Sequence, residues 1–301
     1  MKAVQFSAYG GPEVLQVADI NEPHAGPGQV RIAVRAAGVN PSDGMKLRAG
    51  CWRGRPIALP SGIGVEGAGV VDEVGEGSTD VSLGDAVFGY GINTAAQYAV
   101  LTHWARKPDG LPFAQAGGFP VVVETATRIL AQIGVKAGET LLVNGAAGGV
   151  GSAVIQFARY RGIIVIGTAS APKHEYLRGL GAVPTTYGPG LVERIGHIAP
   201  AGVNAALDLA GPGILPTLLA LVGDPSRVLS IVDATAPLHG AQGSFAPQNH
   251  PERVLSEAAR LYTEGVFRMP LDKTFPLEEA ADAYKRSAAG HATGKLVITL
   301  G

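Results

Sequence analysis

An apolar run that ends in a spaced set of glycines constrains this chain more than any other feature. Residues 141–143 are apolar and run into Gly145-x-x-Gly148-x-x-Gly151, and residues 150–160 then carry apolar side chains at helical spacing. Glycines at these positions permit a tight turn, the close approach of a pyrophosphate and close packing of helix on strand. Unpaired amides at the start of the helix attract an anion. The pattern predicts a dinucleotide site at Gly145, Gly148 and Gly151.

The end of the next apolar stretch, residues 163–168, indicates which dinucleotide binds. An NAD site usually carries an acidic residue about 20 residues after the glycines, which accepts a hydrogen bond from the ribose 2′-hydroxyl. Residues 168–173 contain no acid, and they offer Ser170 and Lys173 instead. A serine hydroxyl can donate to a 2′-phosphate and a lysine can neutralise part of its charge. An ordinary solvated lysine is the alternative for Lys173. The stretch favours NADP, bound as NADPH.

The order of strands and helices predicts two kinds of domain. The first 118 residues contain short strands between turns, such as the alternating residues 30–35, and indicate a mainly β domain that forms a small barrel. From about residue 120, apolar strands alternate with helical stretches, which is typical of a doubly wound parallel sheet. Residues 275–289 then predict one helix. Residues 295–300 predict a terminal strand that pairs back into the N-terminal domain.

Composition and motifs exclude several classes of protein. Hydrophobic residues make up 46% and charged residues 16%, so the chain can bury a large core. A net charge of −1 provides no field to gather nucleic acid or anionic lipid. No apolar stretch is long enough to cross a membrane and no signal peptide begins the chain, so we expect a cytoplasmic protein without nucleic-acid or membrane partners. The single cysteine, Cys51, excludes a multi-cysteine metal site. Hydrolase, P-loop and metalloprotease motifs are absent from the sequence.

Five segments carry a resemblance to a known family. They are residues 36–43 (AAGVNPSD), 64–71 (GVEGAGVV), 119–126 (FPVVVETA), 144–151 (NGAAGGVG) and 294–297 (GKLV). The chain resembles the medium-chain dehydrogenase/reductase superfamily in its zinc-free, zeta-crystallin-like quinone oxidoreductase branch. The resemblance implies an α/β fold in which a Rossmann NADP-binding domain, residues 119–267, is inserted into a GroES-like β-barrel catalytic domain, residues 1–118 plus 268–301. It also implies a homodimer.

The resemblance assigns roles to individual residues. Asn40 and Thr125 are implied as catalytic residues that also contact the cofactor, with Thr125 at the nicotinamide. Asn40 either donates to the substrate oxygen or orients the nicotinamide ribose; a turn residue before Pro41 is the alternative. The pyrophosphate is implied at Ala147, Gly148, Gly149, Val150 and Gly151. The remaining implied cofactor contacts are Ser170, Lys173 and Tyr187 around the 2′-phosphate and Ala210, Ile231 and Val232 along the cleft.

The implied reaction is the reduction of a quinone or an α,β-unsaturated carbonyl, a small-molecule substrate, by hydride transfer from NADPH. Zinc-dependent relatives carry a cysteine at the position of Asn40 and a histidine at that of Val65, so no metal is expected and Glu66 is interpreted as structural. Met45 departs from the family, since many members have tyrosine there, and Lys46 is a candidate replacement or a surface lysine. An enoyl-thioester reductase and a low-turnover NADPH-binding sensor or structural protein remain alternatives.

Overall fold

The structure is a computed structural model, and it describes residues 1–52, 55–211, 213–245 and 251–301. The chain divides into two compact units. The first unit consists of Met1–Val121 and His250–Gly301, and the second consists of Val122–Asn249. None of the described helices is both long and apolar enough to span a membrane.

Strands and helices are numbered in chain order. The strands are β1 (Lys2–Phe6), β2 (Leu15–Asp19), β3 (Val30–Val39), β4 (Cys51–Trp52), β5 (Arg55–Pro56), β6 (Ser61–Gly62), β7 (Glu66–Val74), β8 (Ala86–Ile92), β9 (Tyr98–Arg106), β10 (Thr140–Asn144), β11 (Ile164–Thr168), β12 (Val183–Thr185), β13 (Ala205–Asp208), β14 (Val228–Ser230), β15 (Gln242–Gly243), β16 (Leu271–Pro276) and β17 (Lys295–Thr299). The helices are α1 (Pro41–Ala49), α2 (Phe113–Ala116), α3 (Phe119–Ile133), α4 (Gly149–Tyr160), α5 (His174–Leu180), α6 (Leu191–Ile198), α7 (Leu215–Val222), α8 (Pro251–Thr263) and α9 (Ala280–Ala288).

The first unit contains a closed barrel. Its main sheet has the order β16-β17-β3-β7-β8-β9, and β3 also pairs with β9, so that β3, β7, β8 and β9 form a ring. The alternating residues of β3 form a strand as predicted: Val30, Ile32 and Val34 are buried in the barrel core. The predicted GroES-like barrel is therefore confirmed.

The last strand lies inside this sheet. β17 pairs with β3 in antiparallel register, Leu296 opposite Val39 and Ile298 opposite Ala37, so its predicted return to the N-terminal domain is confirmed. The prediction of one helix over residues 275–289 is wrong in its first part. Phe275 belongs to β16 and pairs with Ile298, because the residue before a proline favours extended backbone and Pro276 follows. Helix α9 begins only at Ala280.

The second unit is built on a parallel sheet of order β12-β11-β10-β13-β14-β15. In the central strand β10, residues 141–143 are completely buried, as a strand covered on both faces requires. Helix α4 follows β10 and buries Val154, Ile155 and Ala158. The predicted doubly wound sheet is confirmed, and the helix begins within the glycine motif, at Gly149, as predicted.

The bounds of the two units differ from those expected from the sequence. The expected second domain ends at residue 267, whereas the described residues from 251 onward belong to the first unit. Within that unit, α8 packs beside β9, and the Tyr262 hydroxyl donates to the carbonyl of Gly110 at 3.0 Å. Tyr262 also packs on the ring of Phe119. The alternation of strands and helices does not show these contacts, because they join residues far apart in the chain.

Candidate functional site

The predicted cofactor residues of the second unit follow neighbouring strands. Gly145 follows β10, Ser170 follows β11, Tyr187 follows β12, Ala210 follows β13 and Val232 follows β14. All these strands are parallel, so their carboxyl ends lie at one edge of the sheet. In open α/β sheets this edge is where ligands bind. The topology therefore brings these residues, which follow strands, to a single edge, whereas Thr125 of the same unit lies on helix α3.

The glycine turn has a geometry that side chains would disturb. Gly145 has φ +79°, in the left-handed region that favours glycine, and its N–H donates to the Thr168 hydroxyl at 3.2 Å. A Cβ on Gly151 would lie 2.5 Å from the carbonyl oxygen of Ala146, so the start of α4 and the turn after β10 approach too closely for any side chain. Gly148 precedes the first residue of α4. The amides of the first helical turn have no partners within the helix and can receive an anion.

A chain of buried polar side chains crosses the carboxyl ends of four neighbouring strands. The Thr168 hydroxyl donates to Asn144 Oδ1 at 2.8 Å, Asn144 Nδ2 donates to Asp208 Oδ1 at 3.0 Å, and the Ser230 hydroxyl donates to Asp208 Oδ2 at 2.9 Å. All four residues are at most 5% exposed. These four residues were not predicted as functional from the sequence. The available signal was that each is the polar last residue of an apolar strand.

This polar chain also holds the loops that were predicted to line the cofactor. Asp208 Oδ1 accepts from the amides of Ala210 at 3.2 Å and Gly211 at 2.8 Å. The Ser230 hydroxyl accepts from the amide of Val232 at 3.1 Å, and the amide of Ile231 donates to the Asp208 carbonyl at 3.1 Å. The loop positions therefore depend on two buried side chains that sequence reasoning did not single out as functional.

The segment expected at the adenosine 2′-phosphate starts directly after β11. The Ser170 carbonyl accepts from the amide of Lys173 at 2.9 Å, and the turn continues into α5. The amide of Ala169 donates to the Thr185 carbonyl at 3.0 Å, which ties this segment to the end of β12. Tyr187 follows two residues later, with 57% of its surface exposed. Ser170, Lys173 and Tyr187 therefore lie on adjacent segments of the chain.

Thr125 comes from a helix that precedes the sheet. It lies on α3 and is 7% exposed. Beside it on α3, Arg128 Nε donates to Glu124 Oε1 at 2.8 Å, and Arg128 Nη1 donates to the carbonyl of Ser244 at 3.1 Å. These buried contacts fix the part of α3 that carries Thr125.

Asn40 lies in the first unit, at the centre of a second buried polar cluster. It stands between β3 and α1, and its side chain is 3% exposed. Asn40 Nδ2 donates to Glu66 Oε1 at 2.7 Å, and Lys295 Nζ donates to Asn40 Oδ1 at 2.5 Å. Lys295 Nζ also lies 2.7 Å from Glu66 Oε1, as a buried ion pair. The amide orientation of Asn40 is thus set by one donor and one acceptor.

Glu66 organises the surrounding backbone as well. Its Oε2 accepts from the amide of Val121 at 2.7 Å, and its carbonyl accepts from the Thr94 hydroxyl at 2.7 Å. A Cβ on Gly38 would lie 2.2 Å from Glu66 Oε1, which explains the glycine two residues before Asn40. These partners give Glu66 the structural role that was expected from the sequence.

Asp43 extends the cluster through helix α1. Its Oδ2 accepts from the amide of Asn40 at 3.0 Å and from the Tyr284 hydroxyl at 3.4 Å, while Oδ1 has no partner among the described residues. Burial raises the pKa of Asp43 to about 7, an effect that the amide of Asn40 and the charge of Lys295 partly oppose. Burial, together with the neighbouring Asp43, also holds the pKa of Tyr284 well above its ordinary value.

Lys46, the candidate replacement for the missing tyrosine, already has an internal partner. Its Nζ donates to the carbonyl of Gly62 at 2.8 Å and lies 5.8 Å from the centre of the Phe6 ring. Partial burial lowers its pKa. Met45 beside it is 64% exposed.

The described residues contain no group of three or more His, Cys, Asp or Glu side chains that could hold a metal ion. At the positions where zinc-dependent relatives have ligands, this chain has Asn40 and Val65. The remaining carboxylate, Glu66, is paired with Lys295. Structural and catalytic zinc sites need three or four protein ligands, so these residues do not fit a zinc ion.

A doubly wound nucleotide-binding unit and a barrel define a class of two-domain dehydrogenases. Residues 26–133 match the family model described as alcohol dehydrogenase GroES-like domain, and residues 185–298 match the one described as zinc-binding dehydrogenase. A solved structure of the quinone oxidoreductase from Coxiella burnetii is similar over 100% of this chain and 99% of its own, with a TM-score of 0.87 and 28% identity.

Curated relatives narrow the class. A quinone oxidoreductase of Pseudomonas aeruginosa is 33% identical over 99% of both chains. An NADPH-dependent alkenal/one oxidoreductase of Arabidopsis thaliana is 32% identical over 99% of this chain and 79% of that protein. A pikromycin polyketide synthase component of Streptomyces venezuelae is 36% identical, but the chain spans only 8% of its length. The chain belongs to the medium-chain dehydrogenase/reductase superfamily, in the group of the quinone oxidoreductases.

Proposed function

We propose that this chain is an NADPH-dependent oxidoreductase that reduces a quinone or an α,β-unsaturated carbonyl by hydride transfer, without zinc. The observation that carries the proposal is the glycine turn before α4, next to a strand end without an acid. Relatives from Pseudomonas aeruginosa and Arabidopsis thaliana, named as quinone and alkenal/one oxidoreductases, support the same reaction class.

The second unit fits a dinucleotide. Gly145 and Gly151 allow close packing against Ala210 and Ala146, where a Cβ would clash, and Gly148 leaves space beside the turn, since the nearest neighbour of its Cβ position is the Gly145 carbonyl oxygen at 3.7 Å. The first turn of α4 offers amide donors for a pyrophosphate. At the neighbouring strand end, Ser170 and Lys173 suit the 2′-phosphate because neither repels it. When bound, NADPH supplies the hydride, and the protein's contribution is to position the reactants and exclude water. Thr125 is proposed to contact the nicotinamide.

Asn40 is proposed to act through the Nδ2 hydrogen that it does not donate to Glu66. Among the described residues, Lys295 donates to its Oδ1 and Glu66 accepts from one Nδ2 hydrogen, which leaves the second Nδ2 hydrogen to donate to a substrate oxygen or a ribose hydroxyl. The turn-residue alternative is also supported, since Asn40 precedes the first residue of α1. The two roles are compatible, because the cap uses the backbone of Asn40.

Zinc independence is proposed from the charges at Glu66. The ammonium group of Lys295 already lies 2.7 Å from Glu66 Oε1, and a divalent cation there would meet a positive charge in a buried site. Elemental analysis of protein purified without chelator tests this proposal. We expect well below one zinc per chain and unchanged turnover after chelation; stoichiometric zinc that turnover requires would contradict it.

An enoyl-thioester reductase is the second candidate. The match to a polyketide synthase component favours it, because the similarity covers 91% of this chain. Hydride transfer to a conjugated thioester uses the same cofactor site, so the two candidates differ only in the substrate.

A turnover screen separates the candidates. NADPH oxidation is followed with three panels: quinones, enals and enones, and enoyl thioesters. We expect turnover with the first two panels; preference for thioesters would establish the second candidate. Tight NADPH binding without turnover in any panel would leave a sensor or structural protein. Thr125→Val, with exposed Thr263→Val as control, checks that activity depends on the nicotinamide end.

The family also supports a homodimer, which sedimentation equilibrium tests.

A further inference from the structure

Arg194 holds the loop that follows β12. It lies in the first turn of α6 and turns back toward residues 186–189, which we call the 186–189 loop. Arg194 Nη2 donates to the carbonyls of Thr186 at 2.9 Å and Tyr187 at 3.4 Å. It reaches Gly188 at 3.5 Å, and Nη1 donates to the carbonyl of Pro189 at 2.9 Å. A single guanidinium therefore contacts every carbonyl of this loop.

These contacts use the planar fork of the guanidinium and leave its charge unneutralised. Within the described part of the chain, no carboxylate lies within 4.0 Å of the Arg194 nitrogens. Its Nε is buried and has no hydrogen-bond partner among the residues that the structure describes. A lysine has one point of charge and cannot reproduce parallel donors in a fixed plane. The geometry of the loop is therefore tied to arginine in particular.

Besides Arg194, the described backbone donor to the carbonyls of this loop is the amide of Leu191, which donates to Gly188 at 3.2 Å. Tyr187 is 57% exposed, so packing of its ring does not hold the backbone. Gly188 has φ +83° and Gly190 has φ +76°, and glycine on either side of Pro189 gives the chain wide conformational freedom. The position of Tyr187 thus depends on hydrogen bonds to the loop carbonyls.

The loop lies beside the proposed 2′-phosphate segment. β11 and β12 are adjacent and parallel, with Thr168 opposite Thr185, so Ser170 and Tyr187 leave the sheet at the same edge. A positive charge close to this edge favours an anion.

We propose that Arg194 is a positioning residue for the adenosine 2′-phosphate of NADPH. By fixing the 186–189 loop, it places Tyr187 against the phosphate-binding segment, and so it determines the preference for NADPH over NADH. The proposal rests on the proposed use of NADPH. Arg194 acts through the loop and does not take part in hydride transfer.

The experiment measures dissociation constants of NADPH and NADH for the full chain and three variants. The wild-type ratio is measured first, because a lack of NADPH preference there refutes the proposed function rather than the role of Arg194. Arg194→Ala removes all loop contacts, and Arg194→Lys keeps the charge without the fork. Arg178→Ala is the matched control: it removes a cation from α5, whose described partner is the side chain of Glu175.

We expect Arg194→Ala to weaken NADPH binding about tenfold and NADH binding less than about twofold. Arg194→Lys should remain impaired, and Arg178→Ala should bind as the wild type does. The proposal is overturned if Arg194→Ala weakens both cofactors equally, if Arg194→Lys restores NADPH binding fully, or if Arg178→Ala has the same effect. Thermal unfolding of each variant ensures that folded protein is compared, and Arg194→Lys keeps the test decisive should the alanine variant not fold.

Discussion

Lys295→Met should strongly destabilise the first unit. Lys295 is 4% exposed and donates to both Asn40 Oδ1 and Glu66 Oε1, and Glu66 is fully buried. Methionine keeps most of the volume, but among the described residues it leaves the Glu66 side chain with the Asn40 and Val121 donors and removes the Lys295 donor from Asn40 Oδ1. Removing one partner of a buried ion pair costs about 3–5 kcal/mol. We expect a loss of that size in the free energy of unfolding of the first unit.

Tryptophan fluorescence during urea unfolding measures this loss selectively. The two tryptophans of the chain, Trp52 and Trp104, both belong to the first unit, so their signal does not report on the second. Lys285→Met is the control: Lys285 is 57% exposed and pairs only at the surface with Asp282, so its loss should cost less than about 0.5 kcal/mol. A loss for Lys295→Met no larger than that of Lys285→Met would refute the reasoning.

Three further predictions concern single residues. Burial raises the pKa of Asp43 from 3.8 to about 7. The protonated group therefore stabilises the fold at low pH, and this stabilisation is lost as pH rises through about 7. Urea unfolding of the wild type and of Asp43→Asn from pH 5 to 8 should show that the stability of the wild type relative to the variant falls with pH. Gly151→Ala places a Cβ 2.5 Å from the Ala146 carbonyl and should weaken NADPH binding at least about tenfold, measured by calorimetry, whereas Gly179→Ala, with open space around its Cβ position, should not. Lys173→Ala should weaken NADPH about tenfold and leave NADH binding nearly unchanged in the same assay; equal losses for both would contradict the assignment.

Features with a local cause were predictable from the sequence. The apolar strand, the glycines and the helix that follow one another at residues 141–160 lie within a single βα unit, and each is specified by its own residues. The terminal strand was also predictable, because an apolar run such as residues 296–298 needs a partner on both edges. Residues 275–289 were misassigned because helical spacing was extended through Pro276, whose preceding residue prefers extended backbone.

Individual side-chain contacts between residues far apart in the chain were not predictable. Lys295 binds Asn40 across 255 positions of sequence, and Tyr284 reaches Asp43 across 241. The only signal for the first contact was a lysine at the start of an apolar strand, which indicates that a partner is needed but not which one. For the same reason the side chain of Asn40 stayed ambiguous between a turn and a substrate contact, since Glu66 and Lys295 occupy most of its hydrogen-bonding groups.

The dissociation constants of NADPH and NADH for the unmodified chain test the account most directly. Isothermal titration of each cofactor gives both values on the same protein preparation. The acid-free end of β11, with Ser170 and Lys173, predicts that NADPH binds at least about tenfold more tightly than NADH. Equal affinities, or tighter binding of NADH, would contradict the assignment of the 2′-phosphate site, and no binding of either cofactor would contradict the central claim itself.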